Sequence, residues 1–361
     1  MTETTPAIAT PVFRVQGRLV ADLARDCVRL DITEGTEGLR TLQAHVVATD
    51  SGAPGPPGPM RHLDGREVDL GQSIQVSLGT DQQQRHVFDG TLSGIEVEFR
   101  DGSAPVVILY AEDPLMRLRM TRRMRTYQNT TDAQIARDIA RAHGLDADVD
   151  AAGATYDVVQ QFNQSDLAFL RERACLIQAE LWCTGTTLHF RTRDKREGTK
   201  VIAVQGNHLL SARIGADLAH QRGSVTVTGY DAQTQRTINE QAGPEVLDAE
   251  ISGGRTGPRL VRSALAESAS YRVRKAALTI EEAKSYARAE MLRRGRRFVT
   301  MSGMLRGNAD LVVGGRLELN DVGGPFEGSG YYVTHVRHTF DQASGFRTCF
   351  QAERATVNEA A

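Results

Sequence analysis

His335 and His338 are the two side chains that most invite a metal-binding role. They fall in a stretch where apolar and polar residues alternate, which predicts a β-strand. Side chains three residues apart on a strand point to opposite faces, so chelation by this pair would need a bulge. His338 shares its predicted face with Val336 and Phe340. We therefore predict a buried, hydrogen-bonded structural histidine and no metal site.

Acidic side chains offer no paired arrangement of the kind that acid–base hydrolysis requires. Glu281 and Glu282 are neighbours on a predicted helix and point in different directions, whereas a glycosidase needs two carboxylates that face each other. Asp101, which precedes Gly102, is typical of a turn. The sequence also lacks P-loop, dinucleotide-binding, HExxH and GxSxG motifs. We expect no catalytic residues, no cofactor and no small-molecule substrate.

A run of five arginines is the most conspicuous charge feature: Arg117, Arg119, Arg122, Arg123 and Arg125. Part of the run alternates with methionine and leucine, which predicts a strand and a loop. Two interpretations are possible, and we favour the second. Phosphate binding would indicate a nucleic-acid-binding protein, whereas pairing with acids of a neighbouring subunit fits the formal net charge of −2 and the common use of arginine in interface ion pairs.

Composition bounds the class of protein. The chain has 361 residues, with 40% apolar and 24% charged, and no stretch approaches the roughly 20 apolar residues of a membrane span. Four cysteines are scattered without a CxxC pair, which favours a reducing cytoplasm over a disulfide or zinc framework. We expect Cys175 and Cys183 to be small core residues.

The elements that must position these residues change along the chain. Strict alternation predicts half-buried strands within the first hundred residues, at Val28–Thr33, Leu42–Val46, Ser73–Leu78 and Ile95–Phe99. Such short strands with regular glycine turns suggest an antiparallel barrel or sandwich.

Helix signals follow. Thr131 with Gln134 forms a capping-box pattern, Ser165 is a predicted N-cap with Asp166 in the first turn, and Thr279 opens a long helix that Gly295 could end. A hairpin is predicted at Thr184–Gly185.

The predicted fold is mainly β with an α/β insert, in three parts. Residues 1–115 form a β domain and residues 116–200 a middle α/β domain. Residues 201–361 form a second β domain with one long helix over 279–294 and a long excursion over 239–270.

The stretch from Tyr156 to Arg171 resembles the late control protein D family of contractile phages, which is related to the hub portion of type VI secretion spike proteins. The matching residues are Gln160, Asn163, Ser165, Asp166, Leu167, Phe169 and Leu170. The closing segment Gly330–Phe340 is similar too, with a histidine at the place of His338, and a weaker match leads from Phe88–Leu92 to Ala111–Leu115. The resemblance spans roughly residues 10–355.

This resemblance implies a structural baseplate hub and no enzyme. Both β domains would be tube-docking-type barrels, and a homotrimer would join the hexameric inner tube above to a trimeric spike below, among baseplate wedge proteins. Because the chain ends soon after the second barrel, we expect the spike to be a separate protein.

The hub would assemble in the bacterial cytoplasm and then belong to a phage tail, a tailocin or an extracellular injection machine. The alternatives are a cell-wall hydrolase carried on the baseplate and a nucleic-acid-binding tail component.

Overall fold

The computed structural model describes residues 10–49, 60–79, 84–232, 234–265, 270–277 and 279–359. The described chain is mainly β, as the alternating sequence pattern predicts. Side chains are described for the same ranges except 270–277.

The N-terminal part consists of strands around one apolar core. Its elements are β1 Val12–Val15, β2 Arg18–Leu19, α1 Ala21–Asp26, β3 Cys27–Gly35, β4 Thr41–Val47, β5 Ser73–Leu78, β6 Arg85–Glu98 and β7 Val106–Glu112. The inward-facing residues of these strands, among them Phe13, Ile32, Ile74 and Leu109, are almost fully buried.

The middle part combines two short sheets with helices. Its elements are α2 Met116–Arg119, β8 Arg122–Thr131, α3 Asp132–Ala142, β9 Asp146–Asp150, β10 Thr155–Ser165, α4 Asp166–Ile177, β11 Ala179–Thr184 and β12 Thr187–Thr192. Strands β8 and β10 form an antiparallel ribbon, and β11, β12 and β9 form a three-stranded sheet. The predicted hairpin at Thr184–Gly185 is confirmed.

The C-terminal part begins after the 3₁₀ turn Arg193–Lys195. Its elements are β13 Lys200–Val204, β14 Leu209–Ala216, β15 Ser224–Asp231, β16 Arg236–Ala242, a 3₁₀ turn Pro244–Leu247, β17 Arg255–Thr256, α5 Gly257–Leu265, β18 Ser270–Ala277, α6 Ile280–Arg296, β19 Val299–Arg306, β20 Arg316–Asn320, β21 Gly328–Asp341, β22 Gly345–Arg354 and β23 Thr356–Val357.

Residues 239–270 are predicted as an excursion without a clear period, and 266–269 of them lie outside the described residues. The described part contains regular elements, among them most of β16 and the helix α5. Nearby, Val225, Val227 and Ile238 share the core of the middle part with Ala287 and Met291 of α6. The apolar core of the middle part therefore runs across the predicted boundary at residue 200.

The predicted helix starts are confirmed. The hydroxyl oxygens of Thr131, Ser165 and Thr279 each accept a hydrogen bond from a backbone N–H three residues later, at 3.2 Å. Two details differ from the prediction. The side chain of Gln134 turns forward to Asp138 and not back to the cap. Gly295 lies inside the last turn of α6 and does not end the helix; Leu247 packs against the place that a side chain at this position would occupy.

Two groups of six strands repeat one strand order. The N-terminal half-sheet runs β1-β5-β6-β7-β4-β3, and the C-terminal half-sheet runs β13-β20-β21-β22-β19-β14. Each place in this order is taken by the strand of the same rank along the chain. One pairing differs, because β1 is antiparallel to β5 whereas β13 is parallel to β20.

The repeat extends to single residues. Ser93 bulges out of β6 against β7, and Thr334 bulges out of β21 at the corresponding place against β22. Both hydroxyls donate to the carbonyl oxygen of the same position on the next strand, Tyr110 at 3.4 Å and Gln351 at 3.3 Å. Because β-bulges are specific, structurally determined features, their coincidence aligns the two half-sheets residue by residue.

Candidate assembly interface

The two half-sheets join through β3 and β21. These strands pair antiparallel, from His335 opposite Gly35 to Asp341 opposite Arg29. On one face Arg337 forms an ion pair with Asp31, at 2.6 Å. On the other face Phe340 lies opposite Leu30 and is 3% exposed in the N-terminal core. One strand of the C-terminal half-sheet thus completes the N-terminal one.

His338 is a buried structural histidine at this junction, as predicted. Asn308 N–H donates to the hydroxyl oxygen of Thr348, which itself donates to the Asn308 carbonyl. The Nδ1–H of His338 therefore donates to that hydroxyl oxygen, at 3.1 Å. Burial, with Arg40 nearby, lowers the pKa of His338 to about 4.

A buried ionic cluster joins both half-sheets to the middle part. Arg196, which is 5% exposed, donates to Glu34 of β3 at 2.7 Å and to Glu180 of β11 at 3.1 Å. The hydroxyl of Tyr332 on β21 donates to Glu180 at 2.6 Å, and the Arg196 guanidinium lies 4.3 Å from the Trp182 ring. Each carboxylate thus has partners from a different part of the chain.

Asp166 holds the β10–α4 corner together. Its carboxylate accepts hydrogen bonds from Arg123 at 2.8 Å, Gln161 at 2.8 Å and His143 at 2.7 Å. Burial alone would raise the pKa of Asp166, but these hydrogen bonds outweigh it and lower the pKa. Together with the N-cap Ser165, this side chain fixes where the strand turns into the helix.

The remaining family-like residues divide by burial. Leu167, Phe169 and Leu170 lie in the core of the middle part, where Phe169 stacks on Tyr127 with ring centroids 5.8 Å apart. Asn163 adopts a left-handed backbone (φ 48°) at a bulge in β10, a conformation that asparagine tolerates well. Gln160 is exposed.

Sequence reasoning missed Gln161, which donates to Asp166 and is 1% exposed. Its position two residues after the buried Val159 was the available signal, because alternate residues of a strand share a face.

The arginine run lies on α2 and β8, so its first part is a helix and not the strand or loop predicted. Two of the arginines pair with acids of the same chain, Arg119 with Glu112 at 2.6 Å and Arg123 with Asp166. Arg122 donates to the Asn163 carbonyl at 2.9 Å. Arg125 lies 4.9 Å from the Tyr127 ring, and the described residues offer Arg117 no ion pair.

The exposed face of the β8–β10 ribbon is apolar at one end. Met124 and Phe162 lie directly opposite each other and are 72% and 71% exposed. Gln160 and the half-exposed Val158 extend the same face. An exposed pair of large apolar side chains marks a surface suited to protein contact.

No group of histidine, cysteine and acidic side chains within the described ranges could hold a metal ion. Cys183 is buried as predicted, and burial raises its pKa to about 12. Cys175, in contrast, is exposed on α4, so its predicted place in the core is wrong. Across the part of the chain that the structure describes, no helix has the length and apolar character needed to cross a membrane.

The fold is that of phage tail and type VI secretion spike-associated proteins. The 43 kDa tail protein of prophage MuSo2 from Shewanella oneidensis is similar, with a TM-score of 0.67 and 15% identity over 96% of this chain and 98% of that one. A tail protein from Neisseria meningitidis MC58 gives 0.65 and 12% over 96% and 97%.

The E. coli c3393 protein, a type VI secretion component with structural similarity to the T4 bacteriophage tail proteins gp27 and gp5, gives a TM-score of 0.56 and 14% identity over 97% of this chain and 79% of that one. No curated protein matches the chain.

The chain belongs to the family described as the Alg8 N-terminal domain, whose model matches residues 64–342. The resemblance to the late control protein D family stays a prediction.

Proposed function

We propose that this chain is the structural hub of a contractile injection machine, a homotrimer that adapts the hexameric inner tube to the trimeric spike. It acts without catalysis. Residues 1–115 and 201–361 supply two tube-docking barrels, and residues 116–200 supply the core of the spike-facing part.

The repeated strand order of the two half-sheets is the observation that carries this proposal. A six-fold tube offers six equivalent surfaces, and a trimer meets all of them when each subunit presents two similar faces. The matched bulges at Ser93 and Thr334 make the two faces similar at the level of backbone register. The fold shared with tail proteins favours the same role.

The spike-facing surface in this proposal is the exposed end of the β8–β10 ribbon. Met124 and Phe162 supply apolar contact. Arg117, Arg122 and Arg125 act as further interface residues that contact protein and not nucleic acid. Tube, spike and wedge proteins are its partners.

Imaging of the assembled particle at the tube–spike junction tests the role. We expect three copies of the chain, with both half-sheets against the tube. A different copy number, or contact of only one half-sheet with the tube, would contradict the proposal.

The ribbon is tested by replacing Phe162 with serine and measuring retention of the spike on the purified hub. We expect loss of the spike with an unchanged melting temperature, because the side chain is exposed. Leu70→Ser, at an exposed residue of the N-terminal part (58% exposed), is the control and should retain the spike. Equal retention of the spike by both variants would contradict the proposal that the ribbon contacts the spike.

A further inference from the structure

Among the open strand edges of the described chain, two correspond to the edges that meet in the covered β3–β21 junction. Strand β5 covers β6 only as far as Thr91, so Gly94–Glu98 of β6 pair with β7 alone. Strand β14 pairs only with β19 along Ser211–Ala216. In the C-terminal half-sheet, the edge of β21 that corresponds to the open edge of β6 is covered by β3, and β3 is the counterpart of β14.

The matched bulges fix which residues correspond. Along the long strands, Glu96 takes the place of Arg337, and Phe99, which directly follows β6, takes the place of Phe340. Strands β3 and β14 also share a bulge, at Val28 and Leu210.

Beyond that shared bulge, Leu30 corresponds to Ala212, Asp31 to Arg213, and Ile32 to Ile214. The pairing of β3 with β21 in the covered junction therefore predicts how β14 would pair with the open edge of β6; we call this covered junction the template.

Charges on the open edges are complementary with exchanged signs. The template pairs Arg337 of the long strand with Asp31 of the covering strand. At the open edges the long strand carries the acid, Glu96, and the covering strand carries the base, Arg213. Arg213 is exposed and forms no ion pair with any described residue, although it lies in a strand.

An exposed aromatic side chain marks the same place. Phe340 lies opposite Leu30 and is buried at 3% exposure, whereas its counterpart Phe99 is 69% exposed. The corresponding seat for Phe99 lies beside Ala212 and the partly buried Ile214, over the C-terminal core. Exposed aromatic residues of this kind are common anchors of protein interfaces.

We propose that β14 of one subunit adds antiparallel to the open edge of β6 in a second copy of this chain, with Arg213 opposite Glu98 and diagonal to Glu96, and with Phe99 buried over the neighbour's C-terminal core. The inference deepens the proposed function and rests on it, because it names the contact that joins the hub subunits. Each subunit has one edge of each kind, so the contact is heterologous and repeats until the ring closes.

A charge exchange tests this contact in the purified full chain. Arg213→Glu places three acids together and should weaken self-association by at least about tenfold, as like charges across an interface do. Adding Glu98→Arg should restore most of it. Arg14→Glu is the control, because β1 has partners on both edges. Sedimentation equilibrium and native mass spectrometry give the affinity and the copy number.

Cross-linking tests the register. In a chain whose Cys175 and Cys349 are replaced by serine, Gly215→Cys with Glu96→Cys places the thiols directly opposite each other. A short bismaleimide should join neighbouring subunits. Ser211→Cys with Glu96→Cys is the matched control, because its thiols lie about 13 Å apart along the strands. Gly215 has open space for the added side chain.

The outcomes separate this contact from the hub role. Association that resists both Arg213→Glu and Phe99→Ser, or absence of the Gly215–Glu96 cross-link in the purified chain and in assembled particles alike, overturns the β14–β6 pairing. The hub role then stands or falls on the copy number at the tube–spike junction, which imaging measures independently.

Discussion

The covered edge of β21 and the open edge of β6 have the same backbone form and different surroundings. On β21 the edge is completed inside the chain by β3, with an ion pair, a buried phenylalanine and a neutral histidine. On β6 the corresponding places hold Glu96, Phe99 and Val97. The two edges therefore differ in whether the junction is completed inside the chain, and the open edge of β6 is available for the subunit contact that we propose.

The ionic cluster belongs only to the covered junction, and breaking it should have the largest effect. Arg196→Met leaves Glu34 and Glu180 with fewer partners and should lower the free energy of unfolding by about 3–5 kcal/mol. Urea denaturation measures this change. Lys195→Met is the control, because its exposed 3.8 Å pair with Asp150 contributes at most about 1 kcal/mol. Equal stability of both variants would mean that the cluster does not hold the junction together.

His338 makes the covered junction sensitive to acid. Its folded-state pKa of about 4 lies below the ordinary value near 6.5, so the folded state binds the proton less tightly than the unfolded state. The contribution of His338 to the free energy of unfolding is fully present above about pH 6.5. It falls by about 3 kcal/mol as the pH drops towards 4. His338→Val, which copies Val97, should flatten the pH dependence of urea unfolding. An unchanged slope would assign the acid sensitivity to other groups.

Gly303 of β19 lies opposite Phe350 of β22, and the corresponding pair in the N-terminal half-sheet is Ala44 of β4 opposite Leu109 of β7. The two half-sheets therefore fill the same space with side chains of different sizes. Gly303→Ala would bring a methyl group 2.7 Å from Phe350 and should cost about 1–3 kcal/mol. Phe350→Leu in the same chain should recover most of this loss. If a double-mutant cycle measured by thermal melts shows no coupling between the two substitutions, the two half-sheets pack differently at this place.

Removing the bulge hydroxyls of Ser93 and Thr334 should have the smallest effect on stability, and the effect should be similar at the two sites. Ser93→Ala and Thr334→Val each remove one hydrogen bond to a carbonyl oxygen and should each lower stability by about 0.5–1.5 kcal/mol. Thermal melts of the two variants compare the half-sheets directly. A loss at only one site would indicate that the bulges coincide in geometry but not in energy.

Sequence signals that span only a few residues were enough to predict several features of the fold. The caps at Thr131, Ser165 and Thr279 and the buried face of His338 follow from residue type and spacing, because the interactions involved lie within a few residues. No local sequence pattern indicates the repeat between the two half-sheets. Glu96 and Arg337 occupy one structural place with opposite charges, and only the pairing of distant strands reveals it.

The same limit applies to the candidate site. Arg196 binds the carboxylate of Glu34, which lies 162 residues away, and Arg196 sits in no motif. The sequence pattern of a strand gives the face of a side chain but not the strand that will lie beside it.

The pairing of Leu30 with Phe340 also sets the order of events during synthesis. These residues lie 310 positions apart, so at roughly 5–20 residues per second the ribosome needs about 15–60 s between them. Throughout that interval the nascent N-terminal strands have an uncovered edge and an unfilled core. A chaperone that shields strand β3 until the last strands emerge would therefore raise the yield of native subunits more than one that acts on the finished chain.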